Sequence, residues 1–265
     1  MKYMRVYMML KFMRVYLIKK LALAAMSGLL TLGPLVGIQL AKADTGTGTA
    51  TDTRKSQVDV IRNVPTNAKL LALTFDDGPS ETFTPQILKL LEDYHAKATF
   101  FVIGSRIERY PDLIREELSE HNEIANHSYS HILLQRVPVS AVYTELLKEQ
   151  QAMLMVTGHE ASHLFRPPRG RFGKSVLDAA RQSGYKIVLW SVDSRDWDNP
   201  GTGYIVKHVL KDAKSGDILL FHDQGGNRQQ TVSALRTIIP ELERRGYQFV
   251  TVSELLEHAT HLKSS

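Results

Sequence analysis

The 265-residue chain contains no cysteine. No disulfide can hold its fold, and no thiolate can act as nucleophile or metal ligand. Any metal would have to be held by histidine or carboxylate. Basic charge is also scarcer than the whole-chain balance of +5 implies. Residues 1–43 hold seven Lys or Arg and no acid. Without that segment the 33 basic residues fall to 26 against 28 acidic ones, a net charge of −2. The composition therefore gives no reason to expect a nucleic-acid partner.

The first segment reads as an address rather than as fold. A basic stretch with Lys2, Arg5, Lys11, Arg14, Lys19 and Lys20 precedes an apolar run from Leu21 to Leu40, which closes on Ala41-Lys42-Ala43. These are the marks of a secretory signal peptide cleaved after Ala43. The run is also about long enough to span a bilayer, so an uncleaved leader acting as membrane anchor is the alternative. Met-Arg-Val-Tyr occurs at both Met4 and Met13, which leaves room for an internal start at Met13. Residues 44–66 are rich in Thr, Gly, Asp and Asn without apolar periodicity, and read as a flexible tether. Residues 67–265 suit one domain with a full core.

Within that domain, short apolar runs alternate with amphipathic ones. Strands are expected at Leu70–Phe75, Ala98–Ile103, Glu123–Asn126, His163–Arg166, Lys186–Val192, Asp217–Phe221 and Gln248–Val252. Helices are expected at Thr84–Tyr94, Pro111–Glu120, Val139–Val156, Lys174–Gln182, Gly203–Ala213, Arg228–Arg245 and Ser253–His261. Pro85 and Pro111 suit first helical turns, and Gly158, Gly184 and Gly246 suit positions just past helix ends. Such alternation implies an α/β fold with parallel strands joined by right-handed crossovers. About seven strands, without a clear eighth, point to a distorted, incomplete (β/α) barrel. A doubly wound open sheet has the same periodicity. In either case the site belongs at the carboxyl ends of the strands. Five polar clusters fall there: Asp76-Asp77, His127 with His131, Arg166 to Gly170, Asp193 to Trp197, and His222-Asp223.

Two adjacent carboxylates at the end of an apolar strand are costly if buried without a partner. Asp76-Asp77-Gly78-Pro79 is either a turn with capping acids or a divided pair, one acid binding metal and the other acting as base. His127 and His131 stand at i and i+4, so on a helix they would share one face and reach one ion. With a carboxylate from another strand end they would make an open, catalytic type of site.

Together the motifs TFDDGP, HSYSH, RPPRG, DSRDW and LLFHD resemble the polysaccharide deacetylase family, carbohydrate esterase family 4. The resemblance runs from about Leu70 to His258. It implies a distorted (β/α) barrel that hydrolyses N- or O-acetyl groups on an acetylated glycan. It implies Asp76 as general base, Asp77, His127 and His131 as ligands of a divalent metal, and Arg166 as the residue that positions Asp76. Asp196 would support His222 as general acid, while Trp197 and the Leu220 region would wall the acetyl pocket. Zinc suits an Asp and two His, and cobalt or nickel would fit as well.

Two positions depart from the family pattern. Arg169 stands where a Tyr is usual. A backbone N–H in that place could still serve as oxyanion donor, but any role of an aromatic ring is lost. His121-Asn122 replace a common Gly-His, and Asn122 is expected to take a left-handed turn. His95, His121, His159, His163 and His208 are expected to be surface or packing residues. The loop from Gln224 to Arg228 is either a sugar subsite or a plain connection. The leading expectation is N-deacetylation of an N-acetylglucosamine polymer, peptidoglycan or chitin-type oligomers, outside the cytoplasm. The alternatives are an O-acetyl esterase on xylan or another glycan, and a non-catalytic glycan-binding wall protein. A metallophosphoesterase would ordinarily want more bridging carboxylates.

Overall fold

The computed structural model describes residues 58–259; the leader and most of the tether lie outside the described residues. Among the described residues no helix is long and apolar enough to cross a membrane. In chain order the elements begin with β1 (Val60–Ile61), β2 (Leu70–Asp76), α1 (Thr84–Asp93), β3 (Ala98–Val102), α2 (Gly104–Arg109), α3 (Pro111–Ser119) and β4 (Glu123–Asn126). They continue with α4 (Val139–Thr157), β5 (Ser162–Phe165), α5 (Lys174–Gln182), β6 (Lys186–Val188) and β7 (Val192–Asp193). Last come α6 (Thr202–Asp212), β8 (Ile218–His222), α7 (Gln229–Arg244), β9 (Gln248–Phe249) and α8 (Val252–Glu257).

Every strand pair is parallel. The order is β1-β6-β5-β4-β3-β2-β8-β7, with β9 paired to the first residues of β2. β1 and β7 end the series without pairing to each other, so the sheet curves as an incomplete barrel rather than closing. Alternation along the strands decides what lies on each face. Leu71, Leu73 and Phe75 of β2 join Phe100 of β3 and Leu219 and Phe221 of β8 in one large core with the apolar faces of α1 and α7. Phe75 stacks on Phe100 with ring centroids 5.1 Å apart. The intervening residues Leu70, Ala72, Phe101, Ala125, Leu164, Val188 and Ile218 gather in a second core, plugged by Val252 and Leu255 of α8. Residues of six strands thus converge inside one curve, as a barrel requires and a doubly wound sheet does not.

Four expectations need correction. The tether does not extend to residue 66: Val60 and Ile61 pair with β6, and Val64 is buried with its N–H donating to Gly216 O at 2.8 Å. The expected strand Lys186–Val192 is two strands. Arg166 takes the carbonyls of Val188 and Leu189 with its side chain, at 3.2 and 3.0 Å, where the chain leaves the β6 pairing with β5 for the β7 pairing with β8. The expected strand Gln248–Val252 stops at Phe249, because Thr251 and Glu254 form a capping box that starts α8 at Val252. Asn122 does not take the left-handed turn. His121 does, at φ 63°, and the Asn122 side chain instead accepts the Ala98 N–H at 2.9 Å, closing the start of β3. The short helix α2 was not anticipated either.

Glu117 on α3 is fully buried, and neither of its carboxylate oxygens meets a hydrogen-bond partner. Burial pushes its pKa well above the ordinary range, and the charges of Asp223, Glu116 and Glu120 add to this. An acid whose pKa rises on folding binds its proton more tightly in the native state. The stability it contributes is whole below its unfolded value near 4.5 and declines as pH rises toward the folded one. Glu117→Gln should therefore match the parent at pH 4 and exceed its Tm by several degrees at pH 8. Thermal melts across that range check this. A difference in Tm that does not vary with pH would contradict it.

Candidate active site

Parity and register assemble the site at the carboxyl ends of the strands. Asp76 closes β2 and lies in register with His222, which closes β8. Both share the parity of Thr74 and Leu220, so all four face away from the core that holds Phe75 and Phe221. Asp76 is 4% exposed, and its partner Arg166 is fully buried. Arg166 Nη1 donates to Asp76 Oδ1 at 2.6 Å and to Thr74 Oγ1 at 2.9 Å. Its guanidinium lies 3.9 Å from the centre of the Phe101 ring. With the two carbonyls it takes from Val188 and Leu189, this arginine is fixed from several sides, and Asp76 with it.

Asp77 follows at φ 77°, a left-handed conformation uncommon outside glycine. That rotation, at Asp77 itself rather than at Gly78-Pro79, brings both carboxylates to one site. The turn is tied down by the Ile103 N–H on Gly78 O at 3.2 Å and by Arg106 Nε on Pro79 O at 2.7 Å. Gly78 is required here: a Cβ would lie 2.1 Å from a carboxylate oxygen of Asp223. Asp223 is itself buried and accepts a hydrogen bond from the Thr84 hydroxyl. Burial pushes its pKa up to about 7, against the Thr84 bond and with help from the charge of Asp77.

His127 and His131 reach the same point, but not from a helix. The segment is a loop with Ser128 at φ 65° and His131 at φ 57°. These turns replace the expected helical face. His127 Nδ1 is 2.7 Å from Arg166 O, which leaves Nε2 to face the carboxylates. Asp77 Oδ1 lies 3.4 Å from His127 Nε2 and 3.1 Å from His131 Nε2. Burial would raise the Asp77 pKa, but the hydrogen bonds of His127 and His131 and the charges of His127 and His222 hold it far below the ordinary carboxylate range. The three donor atoms lie within 4.8 Å of one another, and no other His/Cys/Asp/Glu trio among the described residues is so arranged. Donors about 2.0–2.1 Å from a tetrahedral zinc are themselves about 3.3 Å apart, so the trio fits such an ion. His95, His121, His159, His163 and His208 stay outside it.

On the other side, His222 Nδ1 is 2.7 Å from Asp196 Oδ1, and the His222 N–H donates to Asp196 Oδ2 at 2.9 Å. Asp196 is fully buried and also accepts from Thr231 Oγ1 at 2.8 Å. Buried Arg228 donates to Asp196 O at 2.9 Å and to Gln224 O and Gly225 O, which pins the Gln224–Arg228 loop beside the dyad. Burial would lower the His222 pKa. The bond to Asp196 and the charges of Asp196, Asp76 and Asp77 outweigh it and push the value up to about 9.

Arg169 sits exposed at φ 58° in the 3-10 turn Pro168–Gly170. Its N–H makes no backbone hydrogen bond in that turn, where the Gly170 and Arg171 N–H groups take Pro167 O and Pro168 O. Trp197 is 49% exposed, its indole N–H donating to Asp193 Oδ1 at 3.3 Å. Leu220 is buried between Thr74 and Asp193. Arg169 and Trp197 form no hydrogen bond or ion pair with the histidines or with Asp76 and Asp77; they stand on the flanking loops after β5 and β7. Asn126, Thr84, Thr231, Arg228 and Glu145 were not singled out as supports of the site. Only Arg228 carried a signal, as the sole cation of a Gly-rich loop.

The family model for polysaccharide deacetylases matches residues 63–188. A Bacillus cereus peptidoglycan-N-acetylglucosamine deacetylase is 48% identical over 75% of this chain and 93% of its own length. The chain belongs to the polysaccharide deacetylase family. A chitooligosaccharide deacetylase of Sinorhizobium fredii is 37% identical over 72% of this chain and 95% of its own. Among solved structures, a peptidoglycan N-acetylglucosamine deacetylase in complex with 4-naphthalen-1-yl-N-oxidanyl-benzamide superposes with a TM-score of 0.73. It is 34% identical, over 76% of this chain and 94% of that one. The incomplete parallel barrel described above is the fold of this deacetylase.

The His222–Asp196 pair makes a titration prediction. A histidine whose pKa rises on folding contributes stability fully below about 6.5, and that contribution is lost as pH passes about 9. In the metal-free protein, the NMR titration of His222 should fall near 9, and Asp196→Asn should lower its midpoint by at least one pH unit. An unshifted midpoint in that variant would show that Asp196 does not set the His222 charge.

Proposed function

We propose that the protein removes N-acetyl groups from N-acetylglucosamine residues of a polymer, peptidoglycan or chitin-type oligomers. One observation carries this reading. A carboxylate fixed by an arginine and a histidine fixed by a carboxylate lie at register partners of neighbouring strands, at the same strand ends as an Asp/His/His trio. The relatives that act on peptidoglycan and on chitooligosaccharides supply the substrate class.

Asp77, His127 and His131 would hold a divalent cation. Two imidazole nitrogens and one carboxylate suit zinc, with cobalt or nickel as substitutes. Such a cation supplies Lewis-acid polarisation of the acetyl carbonyl and of the attacking water. Asp76 takes the proton of that water on the oxygen not held by Arg166. Arg166 keeps Asp76 aimed without itself meeting substrate. The Arg169 N–H donates to the oxygen on which negative charge develops. His222, charged at neutral pH, gives its proton to the departing nitrogen. An amide requires that step, because an amine anion is a very poor leaving group. Asp196 orients the ring and stabilises its charge. Trp197 and Leu220 bound the space for the acetyl methyl group.

The domain boundaries follow from the same reading, with a leader in residues 1–43, a tether to about residue 57, and the catalytic domain after it. The enzyme would work outside the cytoplasm at a cell wall, touching a membrane only through an uncleaved leader. N-terminal sequencing of secreted protein should find Asp44 first. Recovery only from membranes, with Leu21–Leu40 retained, would favour the anchor.

Mass spectrometry of N-acetylglucosamine oligomers, peptidoglycan and acetylated xylan after incubation tests the substrate class. Loss of acetyl groups from the amino-sugar polymers is expected. Action on xylan alone would make the protein an O-acetyl esterase, and no action on any of them would leave a glycan-binding protein. Asp76→Asn should keep its metal and lose about 10²–10⁴-fold in turnover. Asp77→Asn should lose metal affinity, with activity partly restored by excess metal. If Asp76→Asn lost metal and Asp77→Asn kept it, the two roles would have to be exchanged.

A further inference from the structure

The loop that carries His127 and His131 has an unusual energetic profile. Two of its five residues, Ser128 and His131, hold left-handed conformations that cost energy outside glycine. A five-residue loop with that cost keeps one shape only if its polar groups are committed elsewhere. One commitment is internal, the His131 N–H donating to Ser128 Oγ at 3.1 Å, and the Ser128 N–H donates to Asn126 Oδ1 at the end of β4, at 2.8 Å. Two join it to α2, where the N–H groups of Gly104 and Ser105 donate to Ser128 O and Tyr129 O, both at 3.0 Å. Three more converge on one side chain. Glu145 of α4 accepts the Tyr129 N–H at 3.0 Å, the Ser130 N–H at 2.8 Å and the Ser130 hydroxyl at 2.8 Å.

Glu145 is 8% exposed and makes no ion pair among the described residues. Its acceptor capacity is spent on the two residues that separate the histidines. A helix interior position ordinarily needs no such acid, and a neutral hydrophobe would pack there at less desolvation cost. Hydrogen bonds from backbone N–H to a carboxylate are charge-assisted and stronger than neutral ones. The α4 register therefore becomes the reference for the spacing of His127 and His131.

We infer that Glu145 is a positioning residue for the metal site, holding the Tyr129–Ser130 backbone so that both imidazoles face Asp77. It touches neither the ion nor the substrate. This rests on the metal reading given under the proposed function. Outer groups that orient ligands are commonly worth about 10–100-fold in metal affinity.

The test is isothermal titration of the purified protein, stripped by chelator, with zinc, together with visible absorption of the cobalt-loaded form. Glu145→Ala should bind zinc at least 10-fold more weakly than the parent, measured well below its Tm, and its cobalt spectrum should change in position and intensity. Glu145→Gln keeps an oxygen for the two N–H groups and should stay within about 3-fold of the parent. Should Glu145→Ala fail to fold, Glu145→Asp, one methylene too short, should show the same weakening. A purely structural glutamate would lower Tm while leaving zinc affinity and the cobalt spectrum of the folded protein at parental values, and that result would overturn the inference alone. A parent protein that takes up neither zinc nor cobalt would overturn the metal reading, and the inference with it.

Discussion

Arg166 and Asp76 form a buried ion pair inside the curve of the sheet, and the site is organised around it. Two charges taken out of water recover their hydration only through close geometry and further hydrogen bonds. Here Arg166 Nη1 meets Asp76 at 2.6 Å, while Thr74 Oγ1 and the carbonyls of Val188 and Leu189 take three of its other four N–H donors. Removing either partner would leave an uncompensated buried charge, at about 3–5 kcal/mol. The pair also reaches outward. Arg166 O receives His127 Nδ1, so one residue aims both the proposed base and a proposed metal ligand. The same guanidinium takes the Val188 and Leu189 carbonyls where the chain passes from β6 to β7.

Strain is concentrated where the chemistry is proposed. Of the eight non-glycine residues with positive φ among the described ones, six lie in loops at the carboxyl ends of the strands: Asp77, Ser128, His131, Arg169, Arg195 and Asn199. Each conformation re-aims a side chain or an N–H that a regular strand would point elsewhere. The cost is carried by the two cores beneath, whose strands are buried on both faces. Asp77, His127 and His131 are each held by neighbours that the reaction does not touch, so a precise site survives on loops that would be unstable alone.

Much of this was legible in the sequence because the functional groups sit at strand ends, where apolar runs stop abruptly at charged residues. Asp76-Asp77 after Leu70–Phe75 and His222 after Ile218–Phe221 stand out for that reason. Parallel pairing was also readable from strand and helix alternation, whereas that alternation did not separate an incomplete barrel from a doubly wound sheet. Less was readable where tertiary contacts override local pattern. Val60 and Ile61 lie in a polar stretch and are strand only because β6 offers an edge. The i, i+4 spacing of His127 and His131 suggested a helix, whereas the convergence comes from left-handed turns at Ser128 and His131. Glu145 lies amid an amphipathic helical pattern and has nothing local to distinguish it. Its meaning appears only when α4 is laid against the His127–His131 loop.

The central claim is that one cation can sit among Asp77, His127 and His131, with Asp76 and His222 beside it and free to move protons. Anomalous diffraction from crystals soaked in zinc tests it directly. The account predicts a single strong peak within coordination distance of Asp77, His127 Nε2 and His131 Nε2, with Asp76 still paired to Arg166 and His222 to Asp196. A peak ligated by Asp76 or His222 in place of Asp77, or no peak at this trio, would contradict it.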